Sequence, residues 1–361
     1  MELTNLTFIV TDDCNFNCSY CVQKKEKKTI QNIAIETAVE VFYPFLSEKE
    51  DVHIGFYGGE PLLAYEKITY TVLLLLEKNK RKNKKIKFCL TTNGSLLTKK
   101  MLEFFSRHKF TVLLSFDGLA QDKGRKKGTF VQTLRQMKRL RQSSGIHLEI
   151  NSVFSPQTVG DLSGSLRYII ERKGPEITLN ISHMEEWDPA QEDILKRELR
   201  RLGDFLVRYF KKTGTIPVKN FRTAEKKSGG KKGIFRCYAG RNRMAVTPAG
   251  ELWGCFLFHD YFKGREDSPA YRDFAFGPLR NFMIGYKTLY PKILNHYTEL
   301  RQDYFCAEGN FCFLCPEVDT CALCPVNAAY STGSLGKISC RHCRLEGIVR
   351  DALSRFRRDS M

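Results

Sequence analysis

The sequence predicts an α/β fold: a partial (β/α)6 barrel of the TIM type followed by a small, irregular, cysteine-rich domain. Three observations carry this. Short apolar runs alternate with helix-periodic stretches over about the first 180 residues, the pattern of parallel βα units. Six such units can be counted, two short of a closed (β/α)8 barrel. The cysteines fall into an N-terminal trio, Cys14, Cys18 and Cys21, and a C-terminal set, Cys237, Cys255, Cys306, Cys312, Cys315, Cys321, Cys324, Cys340 and Cys343, with only Cys89 between them.

In chain order, residues 6–10 read as the first strand, and residues 31–46 carry apolar positions at helical spacing. Residues 52–57 form the second strand, with a helix through 66–78. Further strands are expected at 86–92, 110–116, 148–154 and 177–182, with helices around 98–107, 129–142 and 161–172. Residues 191–212 read as a basic amphipathic helix. The polar, glycine-containing stretch after it places a boundary near residue 225, giving a barrel domain over 1–225 and a second domain over 226–361. That second domain has little apolar core of its own and needs metal to hold its shape.

A chain of 361 residues with 42% hydrophobic content can bury an ordinary core and is not of disordered composition. Its longest apolar run, Val72 to Leu76, is far short of the roughly 20 residues a bilayer requires. The first residues lack a basic signal-peptide region, so a cytoplasmic protein without membrane association is expected. The net charge of +18 favours acidic partners without choosing among them. The lysine runs at 24–28, 78–87 and 226–232 read most simply as solvated surface.

Cys14-x3-Cys18-x2-Cys21 follows the first strand. Three thiolates on one loop can hold three corners of a cubic iron–sulfur cluster and leave one iron open for a ligand. A zinc knuckle usually shows paired C-x2-C units, which this spacing is not. The second strand ends in Gly58-Gly59-Glu60-Pro61, where two glycines allow close backbone approach to a ligand and the glutamate can accept from an ammonium.

These motifs, with Tyr20 before the third cysteine, resemble the radical S-adenosylmethionine (SAM) enzymes. The resemblance implies a 4Fe–4S cluster on Cys14, Cys18 and Cys21. Its open iron would bind the amino and carboxylate groups of SAM, and reductive cleavage would give a 5′-deoxyadenosyl radical. It further implies cofactor contacts at Gly58, Gly59, Glu60, Pro61 and Tyr20, with Ser115 near the carboxylate or ribose and Asn151 near the ribose. Arg125 is either a carboxylate contact or plain surface.

The C-terminal cysteines resemble the SPASM domain, which carries two auxiliary iron–sulfur clusters, expected here as 4Fe–4S. The chain departs from that pattern by one residue before Cys324, and it adds Cys306 and Cys343. Carried over by position, Cys237, Cys255 and Cys324 would hold the first auxiliary cluster, with Cys306 as a fourth ligand or an open site. Cys312, Cys315, Cys321 and Cys340 would hold the second, with Cys343 competing for the place of Cys340. Cys89 reads as a buried core thiol.

The family mostly modifies peptides and proteins. A peptide maturase installing a thioether, a carbon–carbon crosslink or an epimerised centre is therefore expected, acting on an acidic peptide or protein substrate and reduced by flavodoxin or ferredoxin. An anaerobic sulfatase-maturating enzyme is the alternative. Those relatives carry an aspartate directly after the second cysteine of the domain, where this chain has Phe256, and Asp260 is off that position. A small-molecule or tetrapyrrole enzyme of the same fold is a third possibility. A metal-stabilised nucleic-acid-binding protein suits the charge but not the motifs, and no nucleic-acid partner is expected. The first strand is expected to begin near residue 6, and no N-terminal leader-binding domain is expected before it. Leader recognition would then fall to the SPASM region, the basic 191–232 segment or a separate protein.

Overall fold

The computed structural model describes residues 2–222, 237–302, 312, 315, 321 and 323–360. The expected boundary near 225 and Cys306 lie outside these residues.

Six parallel strands appear where the apolar runs lie: β1 (Asn5–Thr11), β2 (Val52–Gly58), β3 (Ile86–Thr92), β4 (Thr111–Ser115), β5 (His147–Phe154) and β6 (Glu176–Ile181). Their helices follow at Asn32–Phe42, Tyr65–Asn79, Lys99–Arg107, Phe130–Gln142, Leu162–Glu171 and Pro189–Thr213. Alternation places Phe8, Ile54, Phe56, Phe88, Leu90, Val112 and Ile150 in one buried layer beneath the helices. The last of these helices starts at Asp188, which accepts from Gln191 N (2.8 Å) while the Gln191 side chain accepts from Asp188 N (2.9 Å), and Pro189 fills the first helical position.

The sheet does not stop at the barrel. Its order is β6-β5-β4-β3-β2-β1-β7-β8-β9. β7 (Arg243–Val246) lies parallel to β1, whereas β8 (Glu251–Trp253) and β9 (Ala275–Pro278) run antiparallel. The turn from Thr247 to Gly250 joins β7 to β8, the hairpin expected from the sequence, with Gly250 at φ +73°.

The C-terminal region is less irregular than its composition suggested. It contains helices Phe256–Phe262, Leu289–Gln302, Pro325–Thr332 and the long Cys340–Ser360. The last packs along Pro189–Thr213, joined by Arg344–Glu192 (3.1 Å) and Arg355–Asp204 (3.2 Å). The basic helix thus spends part of its surface on an internal partner. Among the described residues, no helix is long and apolar enough to cross a membrane.

Candidate active site

The three-cysteine loop sits at the C-terminal end of the barrel strands, the end where such barrels carry their chemistry. The end of β2 holds it in place. Gly59 N donates to Thr11 O (3.0 Å), and Glu60 N donates to Asp13 O (2.8 Å). A Cβ on Gly58 (φ +143°) would lie 2.0 Å from Thr11 O, and one on Gly59 would lie 2.3 Å from Asp13 O. The glycine pair therefore admits the cysteine loop at close range. On its far side, Ser19 N donates to Gly124 O (2.9 Å) and Lys126 Nζ to Asn15 O (2.9 Å).

Burial pushes the Cys14 thiol up to about 11, with Glu60 and Cys18 adding to the rise. Cys18 is raised by burial too, with Cys21 among its charged neighbours. Cys14 and Cys18 are thus poorly disposed to be anionic by themselves, and multivalent iron would supply the missing positive charge.

Glu60 is buried and accepts three protein hydrogen bonds: Leu62 N (3.1 Å) and Thr92 Oγ1 (2.6 Å) at Oε1, and Asn93 N (2.7 Å) at Oε2. A carboxylate has about four acceptor positions, so one remains for an ammonium. Burial raises its carboxyl to about 7 despite these donors. Pro61 opens the short 3₁₀ turn Pro61–Ala64 that Glu60 caps. Ser115, buried at the end of β4, is in register with Asn151 of β5, whose Oδ1 accepts from Asn180 Nδ2 of β6 (2.7 Å). Asn180 was missed in the sequence because a lone asparagine at a strand end has no motif.

Tyr20 does not hang free: its hydroxyl donates to Asp117 Oδ2. Arg125 is buried rather than surface, paired with Asp117 Oδ1 (2.9 Å) and lying over the Tyr20 ring (5.5 Å). Its Nε is buried without a partner, an orphan donor close to the cysteine loop. An open cavity of about 510 Å³ lies against that loop, rimmed by Lys25, Lys123, Arg125, Lys126 and Lys127.

Asp260 is the residue the sequence undervalued. It is buried one helical turn beyond Phe256, and both face Tyr57 at the end of β2. The Phe256 ring packs 4.0 Å from that of Tyr57, and the Tyr57 hydroxyl donates to Asp260 Oδ2 (3.1 Å). Gln23, two residues past Cys21, donates to the same oxygen (3.4 Å). Burial pushes the Asp260 carboxyl up to about 6, against the pull of His259, Gln23 and Tyr57. Tyr330 brings a buried, unpartnered hydroxyl to this corner, with Asp260 and Cys21 among the charges acting on it. Next to it, Lys263 pairs with Asp12 (2.8 Å), clamping helix Phe256–Phe262 to the cysteine loop.

The described C-terminal cysteines form two groups. Burial pushes Cys255 up to about 12, with Cys237 and Cys324 adding to the rise. Cys255 and Cys324 each immediately precede a helix, Phe256–Phe262 and Pro325–Thr332, which bring Asp260 and Tyr330 to the mouth. In the other group Cys312, Cys321, Cys340 and Cys343 pack around Leu323, Ala328 and Ile338, and Cys315 acts on Cys343. Cys340 and Cys343 thus both belong to this second group. Cys89 is a correction: it is half-buried, apart from the Phe88 and Leu90 core, with Sγ 3.6 Å from His53 Nδ1.

Residues 8–169 match the family model described as the radical SAM superfamily. This stretch, the barrel with its three-cysteine loop, is thus a radical SAM domain, of a superfamily whose members are enzymes. Such domains bind SAM and a 4Fe–4S cluster, and the trio, the remaining acceptor position of Glu60 and the orphan Arg125 Nε fit that pair. Among curated relatives, the radical SAM cyclopropyl synthase TigE of Paramaledivibacter caminithermalis is 22% identical over 295 residues, 74% of this chain and 60% of its own length. A cysteine-type anaerobic sulfatase-maturating enzyme of Clostridium perfringens is 32% identical over 111 residues, 29% of this chain and 30% of its own length. The match thus spans less than two thirds of either relative. Among solved structures, native anSMEcpe with bound AdoMet aligns with TM-score 0.77 at 20% identity, covering 99% of this chain and 98% of that one. Streptococcus suis SuiB bound to precursor peptide SuiA aligns with TM-score 0.60 at 16% identity, covering 94% and 75%. At these identities the likeness is one of fold.

Proposed function

We propose that this radical SAM enzyme modifies a side chain of a ribosomally made peptide or a protein, installing a thioether, a carbon–carbon crosslink or an epimerised centre. Residues 226–361 would act as a SPASM domain carrying two auxiliary clusters, the first on Cys237, Cys255 and Cys324, the second on Cys312, Cys315, Cys321 and Cys340 or Cys343. The observation that carries this is the corner where Asp260, Tyr57 and Gln23 meet, between the three-cysteine loop and the second cysteine set. Cys14, Cys18 and Cys21 would hold the cluster, which together with SAM would supply the radical chemistry. Glu60 orients the end of β3 and offers its open acceptor position to the cofactor's ammonium. Asp260, with proton affinity near neutrality, takes up a proton at its carboxylate, and Tyr57 holds that carboxylate in place. The peptide-bound SuiB and anSMEcpe structures, similar in fold, support a peptide substrate. The net charge and the lysine rim beside the loop suit an acidic peptide and an acidic flavodoxin or ferredoxin.

Asp260 also favours a second reading, sulfatase maturation. The sequence weighed against it through Phe256, yet one turn of helix delivers a buried carboxylate to the same mouth. One experiment separates them. The reconstituted enzyme is given SAM, dithionite and cysteine-containing peptides under anaerobic conditions, and 5′-deoxyadenosine and peptide mass are followed. Loss of a hydrogen pair marks a crosslink, and unchanged mass with solvent deuterium incorporation marks epimerisation. Exchange of sulfur for oxygen with loss of two hydrogens marks formylglycine. No 5′-deoxyadenosine from the unmutated chain, with Cys14, Cys18 and Cys21 changed to Ala as control, sinks both readings.

A further inference from the structure

Where β6 gives way to the next helix, three metal-ligating side chains meet that the site above does not use. His183 comes from the loop after β6, and His342 and Glu346 come from the first turns of helix Cys340–Ser360. His183 Nε2 is 3.1 Å from Glu346 Oε1, and His342 Nε2 is 3.9 Å from the same oxygen. One ligand atom from each lies within 4.8 Å of the others. The imidazole rings stack, with centroids 3.9 Å apart and planes 18° apart. The His342 side chain is 2% exposed and that of His183 10%, whereas Glu346 is 35% exposed and opens the cluster to solvent.

As it stands this cluster is poorly satisfied. Glu346 can accept from His183, but His342 lies beyond hydrogen-bond range of it. The Nδ1 atoms of both histidines are buried without partners. So are Ser182 Oγ and both carboxylate oxygens of Glu185, in the same loop as His183. Buried polar atoms are rarely left unpaired, and five in one loop and its facing helix mark a place built for something else.

We propose that His183, His342 and Glu346 bind a borderline divalent transition-metal ion, Zn²⁺ or Fe²⁺, independently of the iron–sulfur clusters and of the function proposed above. Two imidazoles and a carboxylate suit these ions and leave a coordination position for water. The exposed edge of Glu346 is the entry path, and the orphan carboxylate of Glu185 gives the loop an acceptor for imidazole N–H groups. The ion would join the end of β6 to helix Cys340–Ser360, adding a further tie between barrel and C-terminal region.

The test uses the full chain with its clusters reconstituted. It is incubated anaerobically with Zn²⁺, desalted, and analysed for zinc, iron and sulfide beside His183→Ala. The expected result is about one zinc per chain, at least fivefold less in His183→Ala, with equal iron and sulfide in both. Equal zinc in the two proteins, or none in either, overturns the site. Iron falling with zinc while the circular dichroism is retained also overturns it, since His183 would then serve a cluster. If His183→Ala loses its secondary structure, the near-isosteric Glu346→Gln decides by the same comparison.

Discussion

At Tyr57 two side chains of one short helix converge, Phe256 on the ring and Asp260 on the hydroxyl, and this is where single substitutions should speak most clearly. Asp260→Asn is expected to lower peptide modification by roughly 10²–10⁴-fold, the usual worth of a general base, while uncoupled SAM cleavage stays within about threefold. Chromatography of product against 5′-deoxyadenosine measures the split. The base acts only when ionised, so modification by the unmutated enzyme should rise with pH through about 6 and then level, a step missing from the Asn variant. Gly59→Ala presses a Cβ against Asp13 O, and iron bound by the N-terminal trio should fall to about half or less, read by iron analysis of a variant lacking the C-terminal cysteines. The cysteine trio and GGEP were legible in the sequence because their spacing is itself the signal. Asp260 was not, since its place depends on a helix turning it back onto a strand 203 residues away. Cys89 was misread because strand alternation alone does not tell which face of a barrel is the packed one.

Elements tell a similar story. The six barrel strands were legible because each is a short apolar run between helix-periodic stretches, and a fully covered parallel sheet writes itself that way. Helix Cys340–Ser360 was not, because its sequence is dense in arginine and its first turn carries two cysteines that look like loop ligands. It is helical because Leu345, Ile348 and Phe356 bury one stripe, and its arginines pair with Glu192 and Asp204 of the helix beneath. That lower helix depends on its start. Asp188→Ala removes the capping box and should cost about 1 kcal/mol, lowering the thermal midpoint by about 2–4 °C in a scan of the cluster-free protein.

For the whole molecule, charge and topology matter most. The lysine rim beside the cysteine loop lies where an electron donor could approach the first cluster. Reversing Lys123 and Lys127 to Glu should slow reduction by an acidic flavodoxin by tenfold or more at low ionic strength and much less at high, with dithionite reduction unchanged; stopped-flow absorbance reads both. Topology has a different bearing. Because β7 pairs with β1 inside the barrel's own sheet, the two halves are not beads on a string. A gene truncated after residue 222 would yield a barrel whose first strand, apolar at Leu6, Phe8, Ile9 and Val10, has lost its neighbour and offers a bare edge to other copies. Chimaeras that graft a foreign cluster module onto this barrel would therefore stay soluble only if the graft brings its own parallel strand to the seam.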